Sequence, residues 1–256
     1  MTELLKLNKN TLPPPTESLL RFAKIAKLTY EDPDIAKAHF KEIDCEIVKF
    51  FDVDDAQAYL LKQYGAYILS FRGTSSKSDV LADIDAGKTF EIDKVSGVSV
   101  GKVHHGFKQE LDKLWPEIYS HTSNISSLYV TGHSLGAAMA TLAARRLYNK
   151  VLTVITFGSP RVGTQEFVNN CLFDHYRVQN NCDDVTKVPL LIMGFRHHGT
   201  HVYLDVNGKI RKFNIWQIIK DMIRSRIISR LKRKRFIGLT DHFMDNYISK
   251  LSKNVN

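Results

Sequence analysis

Cysteine is scarce. The 256 residues include three, Cys45, Cys171 and Cys182, too few for a disulfide framework and too scattered for a metal-ligand spacing. No run of about 18 uncharged apolar residues is present, which argues against a membrane-spanning helix. The opening stretch, Met-Thr-Glu-Leu-Leu-Lys-Leu-Asn-Lys-Asn, has charges where a signal peptide needs apolar residues. The expectation is a fold that needs no oxidation, made without Sec-type export and working in the cytoplasm or peripherally on a membrane, with export by another route left open. Evenly spread charge is lacking too. Against a net charge of +9, residues 211–235 hold ten basic groups and one acidic group, Asp221, so the rest of the chain is neutral. A protein basic all over, of the kind that coats nucleic acid, is excluded, and no nucleic-acid partner is expected.

What is present suits a globular α/β fold. A hydrophobic fraction of 43% with 10% aromatics is enough for an ordinary core. Pro13-Pro14-Pro15 closes a tail over 1–16, and 17–256 read as a single domain. Apolar spacing predicts helices over 18–28, over 106–121 with an interruption at Pro116, over 137–148, over 215–234 and over 241–251. Strands are predicted over 46–51, 56–62, 66–71, 127–131, 151–157 and 176–178. The runs 202–206 and 209–213 flank Asn207-Gly208, which predicts a hairpin with a type I′ turn. Strands alternating with helices predict a mainly parallel central sheet flanked by helices.

The stretch that carries chemistry is Gly132-His133-Ser134-Leu135-Gly136, between a predicted strand and a predicted helix. A serine nucleophile must project from a very tight strand-to-helix turn, and flanking glycines remove the side chains that would clash there. The serine also falls at a helix N-terminus, where backbone N–H groups face an anion. Such a G-x-S-x-G pattern arises by chance in roughly one chain in ten of this length. Its place between strand and helix is what makes it informative.

Four ordered motifs then carry a resemblance: Phe71-Arg72-Gly73-Thr74, His105-Gly106-Phe107, Thr131-Gly132-His133-Ser134-Leu135-Gly136 and Thr156-Phe157-Gly158-Ser159-Pro160-Arg161-Val162-Gly163. In order and spacing they resemble the class 3 (fungal-type) lipases, α/β-hydrolases acting on acylglycerols and related esters. The resemblance runs from about Ala23 to Tyr247. It implies an α/β-hydrolase fold and a serine hydrolase that needs no cofactor and no metal.

Such an enzyme needs an acid and then a histidine after the serine. Of the aspartates available, Asp183 resembles the family's Asp-x-Val-Pro-x-x-Pro pattern, with Thr186 in place of the first Pro; Asp184 beside it is the rival. His242, in Thr240-Asp241-His242-x-x-x-x-Tyr247, resembles the family's catalytic histidine, and Thr240 or Asp241 is placed to cap the helix after it. His197 and His201 have i,i+4 spacing, but Gly199 and the β-rich run after it argue against the helix a zinc pair would need. His133 is read as structural. The oxyanion hole is expected from the backbone N–H of Leu135, the residue after the nucleophile. The resemblance supplies the second donor, Thr74.

Two segments remain. Residues 75–86 occupy the position of the family's lid, with Val80, Leu81 and Ile84 as a small apolar stripe, or form a simple surface loop. The basic segment 211–235 lies between the expected Asp and His and is an excursion from the hydrolase core. Its apolar residues recur at near-helical spacing with basic residues on the complementary side, so it reads as a helix on an anionic membrane surface or as one packed on the domain. The expected activity is lipid-ester hydrolysis by an acylglycerol lipase or phospholipase. The alternatives are a carboxylesterase on soluble esters and a catalytically silent binding module.

Overall fold

The computed structural model describes residues 14–74, 87–93, 96–231 and 237–255. The expected lid at 75–86, most of the N-terminal tail and basic residues 232–235 lie outside the described residues. An eight-stranded sheet is built from β1 (Glu46–Val53), β2 (Ala56–Gln63), β3 (Ala66–Phe71), β6 (Leu128–His133), β7 (Val151–Phe157), β8 (His175–Asn180), β9 (Thr200–Leu204) and β10 (Ile210–Arg211), in that spatial order. The five strands β3, β6, β7, β8 and β9 are mutually parallel, and the outer pairings are antiparallel. Strands β4 (Lys88–Ile92) and β5 (Ser99–His104) form a separate ribbon.

This order dictates where the helices go. The parallel strands advance across the sheet in one direction, so right-handed crossovers deliver their helices to the same face. There lie α3 (His105–Thr122), α4 (Leu135–Arg146) and α5 (Gln165–Asn169), packed with Leu128, Val130 and Val154. The other face must be covered by the chain's ends. Helices α1 (Thr16–Leu28), α2 (Pro33–Glu42) and α8 (Met244–Ser252) do so, over Tyr129, Ile155 and Phe157. Between α5 and α8 in the chain come α6 (Ile215–Leu231) and the short α7 (Ile237–His242).

Three local expectations are corrected. Pro116 does not interrupt α3, which runs unbroken from His105 to Thr122. The lost N–H costs one backbone bond, while Leu111, Leu114 and Ile118 on either side of the proline stay buried in the core. Asn207-Gly208 does not make a type I′ turn, because Gly208 takes a positive φ of 85° and Asn207 does not. The Asp205 carboxylate captures the N–H groups of Asn207 and Lys209, each at 2.9 Å, and imposes a longer turn. Neither Thr240 nor Asp241 caps the last helix: Phe243 is its N-cap, and Asp241 Oδ2 accepts the Cys182 N–H at 3.2 Å instead.

Candidate active site

Ser134 stands between β6 and α4 with φ 59° and ψ −127°, a left-handed conformation that aims Oγ out of the turn. Glycines make the turn possible. A Cβ on Gly132 would strike the Gly136 backbone, and one on Gly136 would strike the Phe71 carbonyl. Asp183 lies just beyond β8, its N–H donating to the Asn180 carbonyl at 2.9 Å. His242 is the last residue of α7.

The fold brings these three side chains together. His242 Nε2 is 2.9 Å from Ser134 Oγ, and His242 Nδ1 is 3.0 Å from each Asp183 oxygen. A carboxylate only accepts, so Nδ1–H donates to Asp183 and Nε2 is left to accept the Ser134 proton. Asp183 Oδ1 also accepts the Val185 N–H at 3.0 Å, and Oδ2 the Tyr247 hydroxyl at 2.6 Å. Burial works against charge on Asp183, but His242 beside it and the Tyr247 hydroxyl outweigh burial and hold the carboxyl below its usual range. Burial, then the Asp183 charge, push the Tyr247 phenol well above its usual value, so it remains a donor. The Tyr247 oxygen in turn accepts the Asn180 N–H at 3.0 Å, tying α8 to the end of β8.

Asp184 is engaged elsewhere, with Lys187 at 2.5 Å and Arg226 at 3.4 Å. The histidines near it in sequence are likewise bonded away from Ser134. His197 Nε2 donates to the Thr186 carbonyl at 2.9 Å, His198 meets His175 at 3.2 Å, and His201 meets Gln179 at 3.0 Å. Among the described residues no group of three His, Cys, Asp or Glu side chains converges to hold a metal ion.

Thr74 and Leu135 line one cleft of about 340 Å³ together with Arg72, Gly73 and Met139. Gly73 is what permits the approach of that loop. A Cβ there would meet the Tyr30 hydroxyl and the His133 carbonyl, and would lie 3.2 Å from Ser134 Cβ.

Tyr30, Tyr247 and Gly158 were not given a role from sequence. Tyr30 O–H donates to His133 Nδ1 at 2.7 Å, and His133 Nε2–H donates to the His242 carbonyl at 2.8 Å, so this chain fixes the backbone behind His242. Burial first and His242 second lower the His133 pKa to about 3, which keeps it neutral. Gly158, with φ 58°, borders both partners: a Cβ there would lie 2.8 Å from His242 Nδ1 and 2.9 Å from Asp183 Oδ2. For Tyr247 and Gly158 the signal was present in the motifs quoted above. For Tyr30, which is 103 residues from His133, there was none.

Comparison with known proteins agrees with the fold. The family model described as Lipase (class 3) matches residues 68–193, a span that includes Thr74, Ser134, Leu135 and Asp183 but not His242. A secreted mono- and diacylglycerol lipase of Fusarium solani is 31% identical over 162 residues, covering 59% of this chain and 47% of that protein. A lipase of Rhizopus niveus is 32% identical over 171 residues, covering 59% of this chain and 42% of that one. The matches therefore span less than half the length of these relatives. The solved triacylglyceride lipase of Rhizomucor miehei superposes with a TM-score of 0.66 at 25% identity, covering 73% of this chain and 79% of that chain. With its serine turn at the C-terminal end of β6 in a mainly parallel sheet, the chain has the α/β-hydrolase fold and matches the class 3 (fungal-type) lipase family over residues 68–193.

Proposed function

We propose that the chain is a serine hydrolase that cleaves lipid esters, acylglycerols or phospholipids, and that it works peripherally on a membrane. The observation that carries the reading is the continuous relay from Ser134 Oγ through His242 to Asp183, with bonds of 2.9 and 3.0 Å. Ser134 Oγ attacks the ester carbonyl carbon while His242 Nε2 takes its proton, and Asp183 orients the ring and balances the imidazolium. The oxyanion is received by the N–H groups of Leu135 and Thr74, with the Thr74 hydroxyl as a further donor. Nε2–H returns the proton to the leaving alcohol. Water, deprotonated by the same nitrogen, then releases the acid from the acyl-enzyme. No cofactor takes part in these steps.

Ser134, Asp183 and His242 are 1, 0 and 4% exposed. Such burial keeps bulk water away from the charges that form on His242 and on the oxyanion. The relatives named for mono-, di- and triacylglycerols favour acylglycerols within the class.

The test is fluorophosphonate labelling, followed by hydrolysis of a panel of acylglycerols, phospholipids and short p-nitrophenyl esters by wild type and Ser134→Ala. Labelling of wild type only, with turnover of the lipid panel, is expected. A folded but unlabelled wild type means a silent binding module. Turnover confined to short soluble esters means a carboxylesterase.

A further inference from the structure

Helix α6 packs on the domain by one side only. Ile218 and Ser225 are buried, and the Met222 carbonyl receives the Cys182 thiol at 3.5 Å. Asp221, the one acid among 211–235, turns inward and accepts from Asn181 Nδ2 at 2.6 Å, Tyr203 O–H at 3.0 Å and the Val206 N–H at 3.1 Å. The expected division into an apolar face and a complementary basic face is therefore corrected. The apolar residues split, because those facing the protein anchor the helix and a second set faces outward.

That second set is Ile215, Trp216, Ile219, Ile223 and Ile227, which are 39 to 71% exposed. At about 100° per residue they fall within an arc of about 120°. Arg226 and Arg230 fall inside the same arc, Lys220 and Arg224 continue it, and all four are exposed. Among the described residues no acidic side chain pairs with Lys220, Arg224 or Arg230, while Arg226 reaches Asp184. An isologous pairing of two copies through this face would bring the two basic arcs together. Nucleic acid would meet the charges but leave five large apolar side chains without a partner.

We propose that the outward arc of α6 docks in the plane of an anionic lipid bilayer. The isoleucines and Trp216 enter the headgroup–acyl boundary, and the lysine and arginine stems extend along it to the lipid phosphates. This deepens the lipid-ester reading and rests on it for its purpose. Because α6 contacts Cys182 and Asp184, on either side of Asp183, and leads into α7 with His242, docking seats the bilayer beside the triad.

Binding is measured with sedimented vesicles of ether-linked phosphatidylcholine, with or without ether-linked phosphatidylserine, so no ester is available for turnover. The full chain is expected to bind the phosphatidylserine vesicles and to be released as salt rises from about 0.15 M to about 1 M. Replacing Lys220, Arg224 and Arg230 together by Gln should weaken binding about 100-fold, at about fivefold per charge. Ile219→Ser with Ile223→Ser should weaken it about 30-fold. In a Trp115→Phe background, Trp216 emission should shift to the blue on binding. Binding indifferent to phosphatidylserine and salt, variants that bind like wild type, or a Trp216 that stays in water would overturn the proposal. So would loss of a dimer, rather than of vesicle binding, in the isoleucine variant, or vesicle-negative protein that binds duplex DNA. Loss of turnover in Ser134→Ala leaves this assay untouched, so failure of docking and failure of the catalytic assignment are separable.

Discussion

Two neighbouring regions are built on opposite plans. Around Ser134, the chain answers each functional atom with another of its own. Asp183 receives His242, Tyr247 and the Val185 N–H, while His242 is held at its ring by Asp183 and at its carbonyl by His133. Along α6, between Asp183 and His242 in the chain, the inner side is as closely answered, but the outer side leaves its apolar residues 39 to 71% exposed and has one ion pair to the domain, Arg226 with Asp184. Closure of hydrogen bonds in a buried site fixes one geometry, which is what proton transfer over 3 Å needs. An apolar arc left 39 to 71% exposed gives less to folding than a packed one and carries a solubility cost, so part of its surface is open to an external partner.

The contrast breaks most visibly if the wrong histidine has been placed in the relay. His242→Ala is expected to lower kcat/KM by about 10⁴-fold. His197→Ala, which removes a ring bonded to the Thr186 carbonyl, should lower it less than about tenfold. Steady-state kinetics on one short ester decides between them, and the opposite ranking would remove His242 from the mechanism.

A smaller effect tests whether closure itself matters. Gly158→Ala puts a methyl 2.8 Å from His242 Nδ1 and 2.9 Å from Asp183 Oδ2, at a φ of 58° that disfavours side chains. Displacing that hydrogen bond should lower kcat by about 100-fold with KM little changed, since orientation and not ester binding is lost. Unchanged kcat would mean that the site adapts and is not rigid.

Both residues bear on what the sequence made legible. The serine turn was legible because the strain of its backbone demands glycines at fixed offsets, and the strands because β-rich runs recur between turn residues. Asp183 and Asp184 were not separable by the residues alone. Their difference arises from Arg226 and Lys187 drawing one carboxylate outward, and from α8 folding Tyr247 back onto the other. Tyr30 and His133 meet only because α1 and the segment after it are laid across the far face of the sheet, a long-range consequence that no local pattern carries. Helix α2 and the β4–β5 ribbon were not anticipated. Asp32-Pro33 is a helix-start signal that went unread before a helix of only ten residues that buries Ala36 and Phe40, and the ribbon breaks its alternation with a register shift between Phe90 and Ile92. The basic helix was legible as amphipathic, but which apolar residues face out depends on Asp221 finding Asn181 and Tyr203.

Closed burial has a pH signature. His133 is held to a pKa of about 3, and burial first, then His198 and Arg177, lower that of His175 well below its usual value. Both rings take up protons more readily when the chain unfolds, where the value is about 6.5. Their contribution is therefore complete above about pH 6.5 and is lost as pH falls, by up to about 1.4 kcal/mol per pH unit for each ring. Burial likewise lowers His197 well below its usual value and His198 to about 4, so they add to the same loss. In urea unfolding at pH 7 and pH 5.5, His133→Gln, which keeps a polar side chain but does not titrate in that range, should reduce the loss seen in wild type by about 1 kcal/mol. Equal stability at both values would mean that the rings are solvated in the native protein.

The smallest expected change is the most specific to the comparison, because it lies within one helix. Ile218 is 8% exposed and Ile223 is 54% exposed, five residues apart on opposite sides of α6. If the helix is anchored by its inner face alone, Ile218→Ala should cost about 2–3 kcal/mol of unfolding free energy, in the range for a buried isoleucine. Ile223→Ala should stay within about 0.5 kcal/mol, as a change at a largely exposed position does. Thermal or urea unfolding of the two variants in buffer, without lipid, measures both. Equal losses would mean that the outer side is already covered in solution, by this chain or by another copy. The isoleucines would then belong to the fold, and the energy attributed to bilayer docking would already have been used.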